Sequence, residues 1–146
     1  MNGLIVVAID PATGSPEALR WAAAEARLRE ARVHAVMAWR PARPPAAPGA
    51  RPPLTSSLSP ADPQADADAR LARMVDDALG AGNDATRTAV HGSALQVVLA
   101  AVRHADLLVV DPPRPSDLSR AKASLLTPQL VFRVPCPVVV IPPKAA

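Results

Sequence analysis

Residues 4–9 read LIVVAI, an uninterrupted apolar run rich in β-branched side chains. A strand with one wet face alternates polar and apolar residues. A strand apolar on both sides has to be covered on both, as happens in the middle of a parallel sheet with helices on each face. The run therefore predicts a central strand of an α/β fold. The residues that follow agree with this. Ser15-Pro16-Glu17 offers a helix cap, a proline suited to the first helical position and an acid in the first turn, and an alanine-rich stretch carries the helix to about Ala31.

Working outward, RVHAVMAW from Arg32 to Trp39 reads as a second strand. Leu71, Met74, Val75, Ala78 and Leu79 recur with helical spacing, and Gly80 and Gly82 close that helix. A short strand is expected near Thr86 to Val90. Gly92-Ser93 then caps a helix built on Leu95, Val98, Leu99 and Val102, and DLLVV (Asp106 to Val110) returns to the sheet. PVVVIP, Pro137 to Pro142, reads as the fifth strand, with prolines only at its ends, where a strand tolerates them. Strands alternating with helices predict one domain over residues 1–146, a doubly wound, five-stranded parallel sheet. In such sheets the ligand crevice lies at the carboxyl ends of the strands where their order reverses, which here gathers Asp10, Ala38 and Asp111 around one opening.

Composition excludes several classes of function. The chain has 146 residues and a formal charge of +3, with no block of like charges; it has no Tyr, one Phe and two Trp. A base-stacking platform is therefore missing and no nucleic acid is expected as partner. The one cysteine, Cys136, cannot form an internal disulfide, and with three separated histidines it leaves no Cys/His zinc pattern. The apolar runs are strand-sized and the start lacks a basic leader region, so neither a membrane span nor a signal peptide is expected and the chain reads as cytoplasmic. The segment from Pro41 to Pro63 holds eight of the eighteen prolines. It reads as a mobile loop within the domain, either an insertion without a role of its own or a proline-rich ligand for a protein partner.

No catalytic constellation emerges. His34 alternates within strand two, His91 precedes a turn and His104 sits near a helix end; each reads as structural, and Cys136 as a small buried hydrophobe. No serine has a nucleophile-elbow setting and no carboxylate pair is spaced for acid/base work, so an enzyme is not expected.

Three segments taken together, IVVAIDPATGSPEALRWAAAEARLREARVHAVMAWRP, HGSALQVVLAAVRHADLLVV and RVPCPVVVIP, resemble the universal stress protein family. The resemblance implies an adenine-nucleotide α-hydrolase-like, Rossmann-like sheet of strand order 3-2-1-4-5, a role in the stress response, and a homodimer formed through the last strand, here Val138, Val139, Val140 and Ile141. ATP-binding members carry Gly, two residues, Gly, nine residues, then Gly followed by Ser or Thr. Those places fall on Asp111, Arg114, Ser124 and Leu125: the spacing survives and all three glycines are gone. Without glycine, left-handed geometry costs about 1 kcal/mol per position and side chains enter the phosphate space. Pro112, Pro113 and Pro115 remove N–H donors, and an Asp111 carboxylate opposes an anion. Arg114, Arg120 and Lys122 supply the contrary possibility, a phosphate site made of side-chain charge. Asp10 matches the acid that lies near adenosine in the family. The expected reading is a module without a cofactor, the alternative being weak binding of ATP or AMP. Thr127-Pro128 further predicts that the last helix starts at Pro128, since a proline suits the first helical position.

Overall fold

The computed structural model describes residues 3–41, 62–112 and 126–142. Nine elements alternate: β1 (Leu4–Ala8), α1 (Pro16–Arg29), β2 (Arg32–Trp39), α2 (Pro63–Leu79), β3 (Thr86–His91), α3 (Ala94–Ala101), β4 (Leu107–Val110), α4 (Leu126–Arg133) and β5 (Val138–Val140). The strands form one parallel sheet in the order β3-β2-β1-β4-β5, so LIVVAI is central, as its composition requires.

The double burial is visible in alternate residues. Ile5, Val7 and Ile9 of the first run, Val33, Ala35 and Met37 of β2, and Leu107 and Val109 of β4 pack with Leu19 of α1 and Leu71 and Val75 of α2. Val6, Ala8, Val36, Leu108 and Val110 point the other way, onto Val97, Val98 and Val102 of the α3 segment and Leu130 of α4. β1 and β4 are buried along their length except for Leu4, whereas β3 buries only Ala89 and β5 is half-buried to exposed. Those two are the edges.

Several boundaries differ from the sequence reading. Ser15 stands at the cap position of α1 but its side chain does not cap the helix: it lies in the left-handed region (φ 49°, ψ 50°) and its hydroxyl turns back to Asp10. The helix stops at Arg29 because Glu30 is also left-handed (φ 54°) and donates its N–H to Ala26. α2 begins at Pro63, within the stretch read as loop; Asp62 caps it by accepting from the Ala65 N–H at 3.0 Å, and Pro63 lacks an N–H where none is needed. α4 includes Leu126 and Thr127, so it starts before Pro128. A proline at the third position is still within the first turn, whose N–H groups have no intrahelical acceptor, and this outweighs its bias against a helical residue before it. Pro112 is the one proline of the 112–115 stretch among the described residues, and the segment 42–61 lies outside them.

At the outer edge, the Ile141 N–H donates to Val110 and the Pro137 carbonyl accepts from Leu108. The odd residues of β5 thus face β4, and the main-chain groups of Val138 and Val140 face the open side. Among the described residues no helix is long and apolar enough to cross a membrane.

Candidate functional site: the switch-point crevice

Chain order places β2 and β3 on one side of β1 and β4 and β5 on the other. The reversal lies between β1 and β4, and the residues that leave those strands at their carboxyl ends are Asp10 and Asp111. Both are half-buried, and the two exits are joined by the Thr13 hydroxyl, which donates to Asp111 Oδ2 at 3.4 Å. Ala38, near the end of β2, is half-buried against the α3/α4 side of the sheet. Of the residues expected from the sequence, the fold thus brings Asp10 and Asp111 to one mouth with Ala38 one strand away. Arg114, Ser124 and Leu125 lie outside the described residues.

The turn from β1 to α1 consumes its own donors. Asp10 N–H donates to Ser15 Oγ at 2.9 Å, Ala12 N–H to Asp10 Oδ1 at 2.9 Å, Thr13 and Gly14 N–H to the Asp10 carbonyl at 3.2 and 2.8 Å, and Ser15 N–H to Thr13 Oγ1 at 3.1 Å. Residue 11 is a proline and has no N–H. From Asp10 to Ser15, then, every backbone donor has an acceptor inside the turn. Ser15 is fully buried and is the one buried polar side chain among the described residues, so its hydroxyl serves the turn and not solvent. Gly14 is required by its φ of 77° and by Met74 of α2, whose Cγ would stand 3.1 Å from an added Cβ.

An anion placed here meets two obstacles. It would have to break hydrogen bonds of the Asp10–Ser15 turn to use that turn's N–H groups, and it would sit beside the Asp111 carboxylate. One unit charge about 4 Å from another interacts by roughly 4 kcal/mol at an effective dielectric near 20. Among the described residues no group of three His, Cys, Asp or Glu side chains is placed to hold a metal ion. A cleft of 620 Å³ lies at the opposite, amino end of the sheet among Ala26, Arg27, Leu79, Asn83 and Asp84, too far around the fold to be part of this crevice.

Two other groups singled out in the sequence have structural settings. His34 Nδ1 lies 2.5 Å from Thr86 Oγ1, and that hydroxyl also donates to the Val33 carbonyl at 3.3 Å, so the ring donates and the hydroxyl accepts. Burial holds its pKa below the ordinary histidine value. Cys136 is half-buried against the α3/α4 core, and burial, with the charge of Asp106 adding to it, raises its thiol pKa, the opposite of what a nucleophile needs.

A sequence model described as Universal stress protein family matches residues 1–142. No curated protein sequence is a significant match. Solved structures are similar in fold. A universal stress protein in complex with cAMP is 20% identical, with a TM-score of 0.65 and coverage of 95% of both chains. UspA from Lactobacillus plantarum is 22% identical, with a TM-score of 0.64 over 95% of this chain and 97% of that one. A family protein from Arabidopsis thaliana with AMP bound is 16% identical, with a TM-score of 0.60 over 99% of this chain and 94% of that one. The match over residues 1–142, on a sheet of order β3-β2-β1-β4-β5 whose switch point is framed by Asp10 and Asp111, makes this chain a member of the universal stress protein family.

Proposed function

We propose that this protein is a binding or regulatory module of the stress response, acting in the cytoplasm without tight binding of ATP and without catalysis. The observation that carries the reading is the self-satisfied turn from Asp10 to Ser15, closed against Asp111 by Thr13. A phosphate site needs N–H groups directed at the ligand. Here the donors of the Asp10–Ser15 turn are spent, and the other wall opens with the Asp111 carboxylate where the ATP-binding pattern of the family has glycine, followed by Pro112. The thiol of Cys136, with its raised pKa, supports the absence of covalent chemistry.

Calorimetry with ATP, AMP and cyclic AMP tests this. The wild-type chain is expected to bind ATP no more tightly than about millimolar. Replacing residues 111–125 with a glycine-bearing loop of the family pattern is expected to raise the affinity by at least about tenfold. Micromolar ATP binding by the unaltered chain overturns the reading and favours the second one, a divergent site in which Arg114 holds the phosphate. Solved relatives with cAMP and AMP bound are what keep that second reading in play.

The same proposal includes a homodimer through β5. Val138 and Val140 direct unpaired main-chain groups at the open edge, and Val140 is exposed. A twofold axis through Val139 pairs Val138 of each copy with Val140 of the other in an antiparallel ladder, and Pro142, having no N–H, ends it. A protein partner for the proline-rich segment 41–63 is the remaining part of the reading. Deletion of residues 44–59 with loss of a co-purifying protein is its test.

A further inference from the structure

The 620 Å³ cleft at the amino end of the sheet lies where α1 and α2 both finish, between the last turn of α1, the start of β2 and the connection from α2 to β3. Its walls are held by hydrogen bonds. The Glu30 and Ala31 N–H groups both donate to the Ala26 carbonyl, which closes the end of α1. On the other side the Asn83 amide donates to the Gly80 carbonyl at 2.7 Å and to Asp76 at 3.0 Å, and its oxygen accepts from the Ala85 N–H at 3.2 Å, so this one side chain pins the connection. The apolar part of the lining includes Ala26 and Val33, both buried, and Leu79, half-buried.

Three exposed charged side chains border the cleft, Arg27, Glu30 and Asp84, and none of them makes a hydrogen bond or ion pair among the described residues. The same helix shows what such charges do when they can meet: Glu17 pairs with Arg20 and Glu25 with Arg29, each at 2.7 Å. Arg27 and Glu30 have the three-residue spacing of Glu17 and Arg20 and stay apart, because Glu30 is the left-handed residue that ends the helix and its side chain leaves the helical row. One cation and two anions therefore stand separately around one opening. The helix ends add to the negative side, since both α1 and α2 bring their carboxyl-terminal poles here and α2 has no basic residue in its last turn to offset its own. A ligand with only an anionic group would meet two carboxylates, and one with only a cationic group would leave Arg27 unanswered. A small molecule with an ammonium and a carboxylate on neighbouring carbons answers both: the guanidinium is a two-pronged donor for the carboxylate, and the carboxylates of Glu30 and Asp84 accept from the ammonium. The volume is that of a small-molecule site.

We infer that the cleft between the ends of α1 and α2 binds a zwitterionic aliphatic amino acid, its carboxylate on Arg27, its ammonium between Glu30 and Asp84 and its side chain against Ala26, Val33 and Leu79. This goes beyond the reading of the switch point, at the other end of the sheet, and does not depend on it. The test is amide chemical-shift titration of the full chain with leucine, leucinamide, 4-methylpentanoate and glycine, the last three lacking in turn the carboxylate, the ammonium and the side chain. Leucine is expected to move the amides of Ala31, Asn83 and Ala85 and to bind at least about tenfold more tightly than the other three. Arg27→Ala is expected to weaken leucine about tenfold and leave leucinamide unchanged, and Glu30→Gln to weaken both. Arg20→Ala, a charge on α1 outside the cleft, is expected to change neither. Equal loss in Arg20→Ala and Arg27→Ala overturns the site, as does unchanged leucine binding in Arg27→Ala or Glu30→Gln. Leucinamide or 4-methylpentanoate binding as tightly as leucine overturns it too, and so does the absence of any shift at the cleft.

Discussion

The two mouths at the carboxyl edge of the sheet are built from the same materials and end in opposite states. At β1 and β4, polar groups turn inward: the side-chain oxygens of Asp10, Thr13 and Ser15 and the main-chain carbonyl of Asp10 accept every N–H of the Asp10–Ser15 turn, and the Thr13 hydroxyl donates to Asp111. At β2 and β3, the polar groups of Gln64 and Trp39 brace the frame, the His91 ring packs on Trp39, and Arg40 and His91 are exposed. The position that fold topology favours for a ligand thus has the N–H donors of its Asp10–Ser15 turn already engaged. Topology makes a crevice, and chemistry decides whether it can hold anything.

The comparison breaks first at the support beneath both mouths. Leu108 is fully buried in β4, and Leu108→Ala is expected to lower stability by about 3–5 kcal/mol, read by urea denaturation. Next is Ser15→Ala. It leaves the half-buried Asp10 N–H without its acceptor, and a loss of about 1–2 kcal/mol is expected in the same assay. If the turn is only scaffolding, an anion added to this variant still does not bind there. Binding would show that the spent donors alone had closed the crevice.

Gln64→Ala sharpens the other side. It removes the brace between Trp39 and the Ala89 carbonyl in an exposed setting, so about 1 kcal/mol or less is expected in stability, together with a loss of the fixed Trp39–His91 ring contact, visible as altered Trp39 fluorescence. The smallest effect belongs to His34, at the far end of β2. Its folded-state pKa lies below its unfolded value, so below the ordinary histidine range near about 6.5 the unfolded chain binds the extra proton first. Stability is therefore expected to fall as pH drops from neutral through that range and to level off once the folded state is protonated too. Denaturation midpoints against pH should show this slope in the native chain and a flatter one in His34→Gln.

Much of this was legible before any coordinates. LIVVAI carries its double burial in its composition, and the spacing of Leu71, Val75 and Leu79 marks the inner face of α2. The Asp62-Pro63 pair signals the start of α2, but the proline density around it hides the signal, because one proline at a helix start and many in a loop look alike. Ser15 was legible as a cap by position; its rotation toward Asp10 was not, since the choice between two N–H partners depends on how the turn is seated on Met74 of α2.

What the amino-acid sequence determined by itself is the set of elements, their double-sided burial and the loss of glycine at Asp111, because these follow from local pattern and from which side chain each position carries. What only the tertiary structure decided is how the polar groups of each mouth are used. Thr13 meets Asp111 across 98 residues of chain, and Trp39 meets His91 across a β-ladder. Whether a polar group there serves the fold or a ligand is settled by which partners the packing of distant segments brings within hydrogen-bonding range.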